Sequence, residues 1–158
     1  MNPGQVSIIG CGNILFGDDG FGPGVIEHLQ KKAQLPEGVE VIDAGTGAGE
    51  LLLDALLGES KLEKIILVDA MDWGLVPGTV REIEFDKIPQ NKRGDFSIHQ
   101  FLDLNILNEL KLRKGIDVRI LGCQVQSIPE EIEPGLSPAV ESAIEPTIRL
   151  IFQILAVV

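Results

Sequence analysis

Four short apolar runs constrain this chain most: Val6 to Ile9, Val39 to Ile42, Ile65 to Val68 and Val118 to Leu121. Each is rich in β-branched residues and leads into small or acidic ones, the pattern of parallel strands buried on both faces. Helical periodicity fills the stretches between them. After Pro23, residues Val25, Ile26, Leu29 and Ala33 share one face, and Leu51, Leu52, Ala55 and Leu56 share another. Ser97 and Gln100 form an S-x-x-Q capping box ahead of Phe101, Leu104 and Leu107, so a helix is expected to start there. A last helix is expected after Ser137 and Pro138, carrying Ala143, Ile144, Ile148, Ile151 and Leu155.

One link breaks the rhythm. Asp69 to Thr79 holds Gly74, Pro77 and Gly78 without a helical period, and Val80 to Phe85 alternates as a strand does. A parallel crossover needs about a dozen residues or more, so this strand is expected to be antiparallel and at an edge. The expected fold class is α/β: a three-layer α/β/α sandwich with a mixed, mostly parallel sheet of about five strands. A length of 158 residues fits one domain over residues 1–158, and 44% hydrophobic residues suit a sheet covered on both sides.

The formal charge of −11 argues against nucleic acid and anionic membrane surfaces as partners and is compatible with a basic one. Cys11 and Cys123 form no stapling or C-x-x-C pattern, which fits a reducing compartment. No basic-then-apolar leader opens the chain, and the apolar run from Leu150 to Val158 is far shorter than the roughly 20 residues of a membrane helix. A soluble, cytoplasmic protein is expected. The acidic stretch Glu130 to Gly135 reads as solvated surface.

The first apolar run enters a glycine-rich loop, Gly10-Cys11-Gly12, which suggests a dinucleotide fingerprint until Leu15 occupies the place of the third glycine. The loop ends instead on two acids, Asp18 and Asp19, suited to cations or protons rather than phosphate. Ligands of open α/β sheets bind beyond the carboxyl ends of the strands. There the second run leads to Asp43-Ala44-Gly45-Thr46 and the third to Asp69, so three strands feed acids to one edge, although any one of them alone reads as a turn former. His99, in the first turn of its helix, is kept neutral by the helix dipole and could bind a metal. Asp69 and His99 are expected on an exposed rim. Asp19, Asp69 and His99 together make a two-oxygen, one-nitrogen set that suits several transition metals without selecting one. Cys11 could add a thiolate but reads more simply as tight packing, and His28, off the apolar face of its helix, reads as surface. No serine nucleophile motif occurs.

Taken in order, Gly12 to Gly22, Asp43 to Thr46, Val68 to Ala70, Pro77 to Thr79, Ser97 to Gln100, Gly122 to Pro129 and Gly135 to Pro146 resemble the hydrogenase maturation proteases over essentially the whole chain. The resemblance implies an endopeptidase that removes a C-terminal extension from the precursor of a [NiFe] hydrogenase large subunit after nickel insertion. It also implies that nickel, borne by the substrate, is recognised by Asp19, Asp69 and His99, with one acid acting as base. Asp43, Gly45 and Thr46 are assigned to substrate binding, no organic cofactor is implied, and the position of Asp19 is often glutamate in relatives. The run from Gly17 to Pro23 looks most like proteases serving coenzyme F420-reducing hydrogenases. The alternatives are a metal-dependent hydrolase or aminopeptidase with a resident ion, and a non-enzymatic nickel carrier or nucleotide-binding module.

Overall fold

The computed structural model describes residues 5–32, 34–84 and 104–156. Its strands are β1 (Gln5–Cys11), β2 (Val39–Gly45), β3 (Leu62–Met71), β4 (Val80–Ile83) and β5 (Asp117–Gln124), and its helices are α1 (Phe21–Lys32), α2 (Ala48–Leu57), α3 (Leu104–Lys114), α4 (Pro138–Glu141) and α5 (Ile144–Ala156). The sheet order is β2-β1-β3-β5-β4. All neighbours are parallel except β4, which pairs antiparallel with β5 through Val80 opposite Cys123 and Ile83 opposite Ile120. The expected mixed sheet with an antiparallel edge strand is what forms. The capping box at Ser97 and Gln100, with His99 and Phe101, lies outside the described residues, as do Ala33 and Phe85.

Successive side chains in the central strands point to opposite faces, so each strand feeds two cores. Ile8, Ile66 and Val68 pack with Phe21, Val25 and Leu29 of α1 and with Ile144 and Ile151 of α5. Ile9, Ile65 and Leu67 pack on the other face with Leu52 of α2 and with Leu107 and Leu110 of α3. This is the three-layer arrangement, and it explains why the central strands read as continuous apolar runs.

The last helix departs from expectation by dividing into α4 and α5. Pro146 has no N–H to give the Ser142 carbonyl, and its ring would crowd that carbonyl if the helix ran through. The break falls just before it, which leaves Pro146 in the first turn of α5, where no donor is missed. Thr147 follows, its N–H and hydroxyl both donating to Ala143 O, at 3.1 and 2.8 Å.

Candidate active site

The glycines of the first loop permit close packing rather than phosphate contact. Gly12 has φ 136°, and a Cβ there would strike the carbonyl of Asp19. At Gly22 a Cβ would meet the carbonyls of Cys11 and Val68, so α1 rests directly on the ends of β1 and β3. The chain therefore folds back tightly from β1 through a 3-10 turn at Gly17–Gly20 into α1, carrying both acids with it.

The two acids do different things. Asp18, 2% exposed, accepts the Gln126 N–H at 2.9 Å, the Ser137 N–H at 2.7 Å and the Ser137 hydroxyl at 3.0 Å. It clasps the first loop to the segment between β5 and α4. Asp19, 6% exposed, accepts the Asn13 N–H at 3.1 Å, so it is oriented by its own loop. The stretch Glu130 to Gly135, read as plain solvated surface, also takes part: Gly17 N–H donates to Glu133 O and Glu133 N–H to Leu15 O, each at 2.8 Å. Its side chains face solvent, but its backbone is tied to the loop that carries Asp19.

Asp69 lies near the carboxyl end of β3, opposite Gly122 of β5, and its Oδ1 accepts the Ala70 N–H at 2.8 Å. It is fully buried, which corrects the expectation of an exposed rim for this residue; Val68 and Ala70 on either side are covered as well. Asp43, exposed two residues before the end of β2, accepts the Gly45 N–H at 3.0 Å, an Asx turn that sets Gly45 at φ 52°. Gly45 O in turn accepts the Gly12 N–H at 2.9 Å, and Thr46 stands exposed beside it. Asp43 and Asp69 thus lie near the carboxyl ends of the two neighbours of β1, and Asp19 in the loop that follows β1, all toward one edge of the sheet.

Cys11 reports on that gathering. Burial pushes its thiol well above the ordinary value, and the carboxylates of Asp69 and Asp43 raise it further, so it stays protonated at neutral pH as a packed side chain. Among the described residues no three His, Cys, Asp or Glu side chains form a group that could hold a metal ion. His28, which sequence places at the surface, is half-buried, with Nδ1 2.9 Å from Gly24 O.

Sequence reasoning gave no role to Gln124, which organises the opposite side of this edge. Its Oε1 accepts the N–H groups of Trp73 and Leu75 at 2.7 and 3.3 Å, and its Nε2 donates to Asp72 Oδ1 at 3.1 Å and Val125 O at 2.9 Å. The only hint was its place directly after an apolar strand, where a buried amide needs several partners.

A mixed α/β/α sandwich with carboxylates toward the carboxyl edge of its adjacent strands defines an α/β protein with its candidate site where such folds bind ligands. Residues 23–154 match the hydrogenase maturation protease family model, and the chain belongs to that family. A Methanocaldococcus jannaschii protein named for the same family is 41% identical over 152 residues, covering 96% of each chain. The coenzyme F420 hydrogenase subunit delta of Methanothermobacter thermautotrophicus is 37% identical over 93% of this chain and 92% of its own. The solved hydrogenase maturating endopeptidase HybD of Escherichia coli superposes with a TM-score of 0.73 at 30% identity, covering 96% of this chain and 91% of that one. The chain is accordingly a peptidase of hydrogenase maturation.

Proposed function

We propose that this protease removes the C-terminal extension from the precursor of a [NiFe] hydrogenase large subunit once nickel has been inserted. The nickel belongs to the substrate. Asp19, Asp69 and His99 complete its coordination and thereby set the scissile peptide bond beside them. One of the carboxylates takes the proton of an attacking water, so the chemistry is of the aspartic type. Asp43, Gly45 and Thr46 hold the substrate chain at the neighbouring strand end.

The observation that carries this reading is the position of Asp19 and Asp69 at the carboxyl ends of the paired strands β1 and β3, held by the Asn13 and Ala70 N–H groups. A site with few ligands of its own suits an ion that arrives with ligands already attached. Because Asp69 is fully buried, its engagement requires the covering side chains to move aside as the substrate docks. Likeness to the coenzyme F420 hydrogenase subunit delta supports a coenzyme F420-reducing hydrogenase as the enzyme served. The two free thiols fit work in the cytoplasm, and none of the described helices is long and apolar enough to cross a membrane. The test is to incubate the pure protein with nickel-loaded precursor and read intact masses. Loss of a single C-terminal peptide is expected, whereas an unchanged mass for a precursor that its own protease cleaves would remove the reading.

A further inference from the structure

A groove of about 560 Å³ runs beside the first turns of α1 and reaches Asp43 at the sheet edge. Ile14 and Leu136 supply its accessible apolar surface, over a floor of the buried Pro23, Ile26 and Ile144. Ile14, one wall of it, is 60% exposed. Gly24 keeps the groove open: a Cβ there would stand 3.5 Å from Cδ1 of both Leu136 and Ile144. Alanine would favour the helix at this position, so the chain keeps a trough where a side chain would fold better. Gly17 and Gly20, which flank Asp18 and Asp19, also line it, so the groove is continuous with the loop that carries Asp19.

Among the described residues the formal charges along the groove are all negative, and His28 also lines it. Glu27, Asp43 and Glu141 line the groove, and among the described residues no lysine or arginine does; Lys31 stands outside, 2.6 Å from Glu27 in an exposed pair of the kind that contributes little. The described loops at the carboxyl edge, residues 11–20, 45–47, 71–79 and 124–137, contain Asp18, Asp19, Asp72, Glu130, Glu131 and Glu133 but no lysine or arginine. An occupant therefore has to be apolar enough to cover Ile14 and Leu136 and basic enough to answer the acids around them. A volume of this size is in the range of ligand sites, roughly 300–1,000 Å³, and the groove's continuity with the Asp19 loop favours a polypeptide running on toward the cleavage position over a detached small molecule.

We propose that this groove docks an extended segment of the hydrogenase precursor in which apolar side chains alternate with lysine or arginine. The proposal rests on the function proposed above and adds what selects the substrate chain apart from its nickel. Apolar side chains settle on Ile14 and Leu136 while the cations face Glu27, Asp43 and Glu141, which makes association faster at low salt.

The test measures cleavage of nickel-loaded precursor at several salt concentrations by wild type, Gly24→Leu and Glu141→Lys. Gly24→Leu fills the groove and adds helix propensity, so the expectation is a KM raised about tenfold or more, kcat within about threefold, and a melting temperature no lower than wild type. Glu141→Lys, at an exposed position, is expected to raise KM and flatten its dependence on salt. An unchanged KM in both variants overturns the proposal while leaving the protease reading intact. A shift in oligomeric state on sedimentation without a change in KM makes the occupant a second copy of this chain and also overturns it. If wild type fails to cleave a competent precursor, the function and this proposal fall together.

Discussion

Ser137 reaches Asp18 twice, through its backbone N–H at 2.7 Å and its hydroxyl at 3.0 Å, across 119 positions of sequence. This clasp, joined by Gln126 N–H at 2.9 Å, holds the loop carrying Asp19 against the segment that leads into α4. Asp18→Ala would leave two backbone donors without their carboxylate. A loss of about 2–4 kcal/mol is expected, because hydrogen bonds to charged groups are worth roughly 1.5–3 kcal/mol each and water recovers part of that. Ser137→Ala keeps the backbone bond and should cost only about 1 kcal/mol. Urea unfolding of the two variants checks the order; equal losses would show that the carboxylate is not the centre of the clasp.

Gln124 fixes the Trp73 loop, and Trp73 is the chain's single tryptophan, so its fluorescence reads that loop directly. In Gln124→Ala the N–H groups of Trp73 and Leu75 lose their acceptor. Emission is expected to shift to longer wavelength, with stability lower by about 1–3 kcal/mol, the cost of leaving buried polar groups unsatisfied. Unchanged emission would mean that the loop is held by the backbone bonds from Gly78 N–H to Gln124 O and from Gln124 N–H to Thr79 O, each 2.8 Å.

The Cys123 thiol is pushed up to about 12, chiefly by burial and then by the Asp18 carboxylate. From its ordinary value of 9.0 up to about 12 the folded chain keeps a proton that the unfolded chain has released. The unfolded state therefore binds fewer protons in that window, and stability falls as pH rises through it. Urea midpoints at pH 8, 9.5 and 10.5 should decline, and more shallowly in Cys123→Ala. The two slopes would be alike if the thiol did not contribute.

Much of the frame was legible because buried strands announce themselves. The runs around Ile8, Ile66 and Ile120 are apolar on both faces, and Pro77 with Gly78 excluded a helical crossover before β4. Pro146 carried the signal for the divided last helix, but the apolar period from Ala143 to Leu155 masks it. The division of labour between Asp18 and Asp19 was not legible, since adjacent acids look alike until a partner more than a hundred positions away selects one of them. Nor could periodicity tell that Asp69 would be covered: it places a residue at a sheet edge without saying what lies over it. The groove beside α1 was invisible for the same reason, because Gly24, Leu136 and Ile144 come together only in the fold. His99, expected in the first turn of a capped helix, lies outside the described residues.

At the candidate site, Asp69→Asn conserves shape and removes only the charge, so cleavage should fall by about a hundredfold or more, as is usual for loss of a general base or its equivalent. Asp19→Glu keeps the charge at a longer reach and should retain much of the activity, whereas Asp19→Ala should not. Single-turnover cleavage with folding checked by circular dichroism measures all three. Equal loss in Asp19→Glu and Asp19→Ala would make reach, not charge, the decisive property.

Recognition of substrate-borne nickel is tested most directly by offering wild-type protein the same large-subunit precursor in two forms, nickel-loaded and nickel-free, and reading intact masses over time. The account predicts release of one C-terminal peptide from the loaded form alone. Cleavage of both forms at similar rates would contradict it, leaving a protease that reads the polypeptide and takes no account of the metal.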